Sequence, residues 1–153
     1  MEKISADGVE SGGMGPADRR GLTDALGASD LAINHYSVEP GEGFSGGLHT
    51  HIDQEELFYV TEGEVTFTVG YEGDESVVVE ADEAIRFAPG EYQTSENTGD
   101  GEATAIALGA PRDSEDVRLP QPCPEGDSDN MQMQFGDDGM VLVCPECGTE
   151  LDA

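Results

Sequence analysis

The chain has 153 residues, room for one domain with a good core plus a small satellite module. Asp and Glu number 34 against 6 Lys and Arg, which gives a net charge of −28, and lysine occurs only at Lys3. No basic stripe exists to meet phosphates, so nucleic acid and anionic membrane surfaces are excluded as partners.

The N-terminus, Met1-Glu2-Lys3-Ile4-Ser5-Ala6-Asp7, has no apolar h-region. The longest uncharged stretches, such as Ala103 to Pro111, are too short to span a bilayer as a helix, so a cytoplasmic location is expected. Residues 1–30 are rich in Gly, Asp and Ser and read as an arm. From Leu31 the pattern changes: Leu31, Ile33 and His35 alternate with Ala32, Asn34 and Tyr36, and Val38 ends the run before Pro40-Gly41. That is a strand. Glu56 to Thr61 and Val65 to Val69 flank Glu62-Gly63 and read as a hairpin. Further strands are expected at Ser76–Glu80, Ala84–Phe87 and Thr104–Leu108, separated by Gly, Pro and Asp turns. With no run of helical period, these short strands predict an all-β barrel or sandwich over residues 31–112.

Pro111, Pro120 and Pro122 cannot sit in a central strand, so residues 113–122 read as a linker out of the barrel. Residues 123–153 hold all three cysteines and a second hairpin. Its strands are Met131–Phe135 and Met140–Val143, with the turn at Gly136-Asp137-Asp138-Gly139.

The acids fall as 8, 15 and 11 in the three successive thirds, so no disordered acidic tail explains the charge. Near 1 M salt the screening length is about 3 Å, and a dense carboxylate surface then repels itself little. Scarce lysine on a foldable acidic chain resembles the proteins of halophilic archaea, which implies a salt-adapted surface and says nothing of activity.

Of three histidines, two lie in Gly43-Phe44-Ser45-Gly46-Gly47-Leu48-His49-Thr50-His51. Residues i and i+2 of a strand share a face, so His49 and His51 can reach one point. Glu56 follows at an odd offset, and a bend at Ile52-Asp53-Gln54 would bring it to the same side. Two imidazoles and one carboxylate form the facial set of non-haem iron sites, which leaves positions open for substrate or oxygen. The bland alternative is a pair of solvent-facing histidines with Glu56 as surface charge.

The spacing glycine-x5-His-x-His-x4-Glu-x6-Gly runs without a gap from Gly43 to Gly63 and resembles the first signature of the cupin superfamily. The second signature, glycine-x5-Pro-x-Gly-x2-His-x3-Asn, is partly met. Gly90 and Asn97 match, Asp82 and Ala88 replace its first Gly and its Pro, and Gln93 stands where the family usually has a third histidine. The resemblance spans residues 31–110 and implies a small double-stranded β-helix barrel, usually dimeric, with a divalent metal near its axis. Carried over by position, the ligands would be His49, His51, Glu56 and Gln93, the last offering a neutral carbonyl oxygen or only a hydrogen bond. The metal is left open among iron, manganese, nickel and zinc. His35 is expected to pack rather than ligate, and Tyr92 to lie nearest the pocket mouth. Arg86 is expected in an ordinary salt bridge.

Cys144-Pro145-Glu146-Cys147-Gly148 is a Cys-x2-Cys knuckle of the kind that binds zinc. Cys123-Pro124-Glu125-Gly126 looks like the first half of the same pattern, with glycine for the second cysteine. Knuckle, hairpin, knuckle is the layout of a zinc ribbon, here degenerate. The fourth ligand of Cys123, Cys144 and Cys147 is open: an acid such as Asp127 or Asp129 completes the shell, or the site has decayed. A Cys144/Cys147 redox pair is the rival reading, without a βαβ context to support it.

Two functions are therefore carried forward. One is a cupin that acts on a small metabolite coordinated to its barrel metal, by isomerase, lyase or dioxygenase chemistry. The other is a non-catalytic small-molecule sensor whose cysteine tail contacts a protein partner.

Overall fold

Strand β9 (Ala103–Ala110) shows how the core is built. Ala103, Ala105, Ala107 and Gly109 are buried, while Thr104, Ile106 and Leu108 between them are half-buried. Small inward residues leave room for rings, and Phe44, Phe58, Phe67 and Phe87 fill it. Phe44 stacks on Phe58 with centroids 5.3 Å apart, and Phe67 meets Phe58 at 5.1 Å and Phe87 at 5.5 Å. Each such ring contributes about 1.5–3 kcal/mol by leaving water.

The structure is a computed structural model that describes residues 1–13, 15–136 and 139–152. Met14 of the expected arm and Asp137-Asp138, the centre of the expected turn, lie outside the described residues. In chain order the elements are β1 (Asp18–Gly21), a short helix α1 (Thr23–Leu26), β2 (Ala32–Val38), β3 (Thr50–His51), β4 (Glu55–Glu62) and β5 (Glu64–Val69). β6 (Glu75–Glu80), β7 (Ala84–Phe87), β8 (Gln93–Glu96) and β9 follow. The tail adds β10 (Val117–Leu119), β11 (Met131–Gly136), β12 (Gly139–Val143) and β13 (Glu150–Asp152). Among the described residues no helix is long and apolar enough to cross a membrane.

One sheet runs β1-β2-β9-β4-β7, a second β6-β5-β8, and a third β13-β12-β11-β10-β3. The backbones of His49 and Gln93 exchange hydrogen bonds of 3.1 and 2.8 Å, and this pair joins the third sheet to the second. The core lies between this composite layer and the first sheet, so the chain is all-β, as expected.

Several expectations need correction. β4 and β5 do not form a hairpin, because β4 pairs with β9 and β7 while β5 pairs with β6 and β8. Gly63 turns the chain from one sheet into the other at φ +77°, where a Cβ would stand 2.9 Å from Ala103 Cα. The expected arm, residues 1–30, is partly sheet, since β1 pairs with β2 from Asp18↔Ser37 to Gly21↔Asn34. Its sequence, Asp-Arg-Arg-Gly, carries no apolar alternation that would have revealed it. The expected linker, residues 113–122, contains β10, a central strand between β3 and β11. Its prolines flank that strand without entering it. β8 is also absent from the expected strands, because its inward residues, Gln93 and Ser95, are polar. The tail hairpin is present, with β11 and β12 in register from Gln132↔Val143 to Gly136↔Gly139.

Candidate metal centre

Parity along β4 sets Glu56 on the face of Phe58 and Val60, and across the sheet it opposes Gly109. A bend at Ile52-Asp53 separates β3 from β4, so the odd offset from His51 is absorbed as expected. Gly43, which opens the motif, passes so close to β8 that a Cβ there would lie 2.0 Å from Ser95 O. That close approach, with Phe44 N donating to Ser95 Oγ at 3.0 Å, pins the start of the Gly43–His51 segment against β8.

His49, His51 and Glu56 each place a ligand atom within 4.8 Å of the other two. His51 Nε2 lies 3.8 Å from Glu56 Oε2, and the two side chains are 18% and 19% exposed. Gln93 joins them: its amide nitrogen donates to Glu56 Oε2 at 3.0 Å and stands 3.4 Å from His49 Nε2.

The outer hydrogen bonds decide the tautomers. His49 Nδ1 is 2.8 Å from Gly47 O, which can only accept, so Nδ1 carries the proton and Nε2 keeps its lone pair. His51 Nδ1 is 2.8 Å from Ser114 Oγ, and Ser114 spends its own proton on Asp53 Oδ1 at 2.6 Å. His51 therefore also donates from Nδ1 and offers the Nε2 lone pair inward. Such outer partners orient metal-binding imidazoles and raise their basicity.

Burial pushes His51 down to about 4, helped by His49, and lowers His49 as well, so both rings are neutral near pH 7. Burial pushes the Glu56 carboxyl up to about 7, against the pull of the Gln93 hydrogen bond and the Arg19 charge. Two inward lone pairs and a desolvated carboxylate suit a divalent cation, which would supply the charge this cluster lacks. The residues present fit such an ion.

The cluster forms the floor of a cavity of about 280 Å³. Tyr36, Phe44 and Phe58 make an apolar wall, and Arg19, Asn34 and Arg112 line the polar side. Arg19 Nε donates to Asn34 Oδ1 at 3.1 Å. Arg20, Arg86, Arg112 and Arg118 each pair with a carboxylate. Arg19 has no ion pair among the described residues.

Tyr92 does not reach this cavity. It neighbours the inward Gln93, so alternation turns it to the other face, where it meets Tyr71 edge-on at 5.3 Å. His35 stays apart on β2, between β1 and β9. Arg86 pairs with Glu55 at 2.6 Å, the ordinary salt bridge expected of it. Arg19, Asn34, Arg112 and Ser114 escaped the reading of the chain, since none belongs to a spaced motif. The rarity of arginine was the one available signal.

The cupin domain family matches residues 34–109. No curated protein matches the chain. A sugar phosphate isomerase of the cupin superfamily from Silicibacter pomeroyi is 22% identical, with TM-score 0.74, over 99% of this chain and 97% of that one. A predicted oxalate decarboxylase from Thermotoga maritima is 22% identical, with TM-score 0.58, over 71% and 97% of the two chains. Oxalate oxidase in complex with glycolate is 20% identical, with TM-score 0.57, over 71% and 59%. At such identities the likeness speaks for the fold. Asp82, where the family has glycine, holds φ 70°, the backbone that glycine adopts most readily. Residues 34–109 match the cupin domain family, and the chain has the fold of the solved cupin structures it resembles.

Proposed function

We propose that this protein binds a divalent metal through His49, His51 and Glu56 and acts on a small anionic metabolite seated over it. The observation that carries the anionic part is Arg19: a guanidinium on the cavity wall with no ion pair among the described residues of a −28 chain. Near Glu56 in the half-buried cavity yet ion-paired with no carboxylate, it favours a carboxylate or phosphate ligand. The molecules named for the similar structures, a sugar phosphate, oxalate and glycolate, are all anions, which supports the same choice.

A divalent ion at this site would act as a Lewis acid toward a bound oxygen or, as iron, would activate dioxygen. His49 and His51 would hold it through Nε2, with their tautomers set by Gly47 O and Ser114. The Gln93 NH2 holds Glu56 in place and keeps its charge turned inward. Tyr36, Phe44 and Phe58 exclude water from one side, which strengthens each ionic contact. Asn34 fixes Arg19, so the anion-binding group is oriented before the ligand arrives.

The test is isothermal titration of sugar phosphates, oxalate and glycolate into protein loaded with manganese, iron, nickel or zinc. One of these anions is expected to bind, and Arg19→Met is expected to weaken it at least about tenfold while metal content is kept. Equal binding by Arg19→Met would overturn the anionic reading. Turnover of a bound anion separates an enzyme from a sensor. A homodimer belongs to the same proposal, supported by Val77 and Val78, 44% and 52% exposed on the edge strand β6. Sedimentation of the wild type and of Val78→Lys tests it.

A further inference from the structure

Outside the barrel, Cys123, Cys144 and Cys147 bring their sulfurs within 4.8 Å of one another, with Cys123 Sγ and Cys147 Sγ 3.6 Å apart. All three are free thiols, and Cys123 and Cys144 are buried. A tetrahedral zinc with Zn–S near 2.3 Å sets its sulfurs about 3.8 Å apart, so the spacing suits a shared ion.

The backbone folds into two tight turns around the sulfurs. Cys147 Sγ donates to Thr149 Oγ1 at 3.3 Å. Each knuckle closes on its own first cysteine: Gly148 N donates to Cys144 O at 3.0 Å, and Gly126 N to Cys123 O at 2.9 Å. The closing glycines have φ +75° and +79°. Gly126 thus matches Gly148 rather than Cys147, and the first knuckle is one residue short. The next side chain, Asp127, follows that closing glycine; it does not join the 4.8 Å cluster of the three sulfurs and would have to swing in to reach a shared ion. Three free sulfurs within 4.8 Å of one another, with a tight turn closing at Cys123 and another at Cys144, suit one soft cation.

We infer that Cys123, Cys144 and Cys147, with Asp127 as the fourth donor, bind a structural zinc ion. The inference is independent of the barrel reading. Soft sulfur donors favour zinc over the harder ions that suit the His49 cluster. The ion closes a satellite core of only Met131, Leu142, Cys123 and Cys144, packed against Leu119, Met133 and Leu151. So small an apolar cluster gains its stability from the metal. It also has reach. β11 and β12 grow from β10, β10 pairs Val117 with His51, and Tyr71 hydroxyl donates to Asp129 O. The zinc would therefore anchor the far end of the sheet that carries a barrel ligand.

The experiment uses the full chain, stripped of metal under reductant and titrated with cobalt, then zinc. An intense sulfur-to-cobalt charge-transfer band with tetrahedral d–d bands is expected, with protons released as cobalt binds, and zinc should then bleach it by displacing the cobalt. His49→Ala/His51→Ala should retain the band, since a site of nitrogen and oxygen donors produces none. Cys147→Ser, at an exposed position, should lose the tetrahedral spectrum and bind zinc at least about a hundredfold more weakly; Asp127→Asn should weaken it about tenfold. No charge-transfer band with all three thiols reduced would overturn the proposal, as would a Cys147→Ser protein with unchanged zinc affinity. Unchanged affinity in Asp127→Asn would remove Asp127 from the shell.

Discussion

Gln93 Nε2 stands 3.0 Å from Glu56 Oε2 and 3.4 Å from His49 Nε2, so its amide faces the two donors that a cation would share. At this position of β8, pointing inward beside the buried Ser95, a cupin usually places imidazole. Gln93 holds the carboxylate with an N–H, and to ligate it must turn its carbonyl inward.

Replacing it reports on that choice. Gln93→His is expected to raise affinity for nickel or manganese by about tenfold, or about 1.4 kcal/mol, because imidazole is the better donor. Competition against a chelator of known affinity measures it. Unchanged or weaker binding would show that position 93 does not face the ion.

Ser114 supplies a second handle. Its hydroxyl accepts from His51 Nδ1 and donates to Asp53, whose other oxygen takes the N–H of Glu115 at 2.6 Å. Ser114→Ala should lower barrel-metal affinity about 10–100-fold, as removal of an outer-shell partner does. Circular dichroism should show the fold intact. Retained affinity would mean that packing alone orients the ring.

Glu56 is costly to the metal-free protein. An acid whose folded pKa, about 7, lies above its unfolded value destabilises the fold as pH rises through that window. His51, held down at about 4, acts in the opposite sense below pH 6.5, so the comparison belongs near pH 8. There Glu56→Gln should stabilise the chelated protein by about 1–3 kcal/mol in urea melts, while abolishing stabilisation by added metal. A less stable variant would mean that the carboxylate is already compensated.

Salt should matter strongly. With a net charge of −28, self-repulsion is screened over about 10 Å at 0.1 M salt and about 3 Å at 1 M. The melting temperature is expected to climb steadily from dilute buffer to molar KCl. A flat profile would remove the halophilic reading.

The strands easiest to read were those with apolar alternation, such as Ala84–Phe87, which the structure reproduces at both ends. β1 and β8 were invisible because their pairing rests on backbone ladders while their side chains are mostly charged or polar, and β10 because Val117-Arg118-Leu119 is too short a run, just before Pro120, to stand out. The Glu62-Gly63 corner misled for another reason: a tight turn between two strands looks alike whether they pair or part into separate sheets.

Spacing alone was enough to bring His49, His51 and Glu56 to one point, because strand parity and one bend are local rules that short stretches of chain obey by themselves. Arg19, Asn34, Arg112 and Ser114 reach the same cavity from β1, β2 and the exit segment, Ser114 lying 63 residues from the His51 it orients. No local rule links such distant positions. Only packing the sheets face to face decides which arginine overlooks the floor, which hydroxyl orients His51, and that the cysteine tail extends the sheet bearing that histidine.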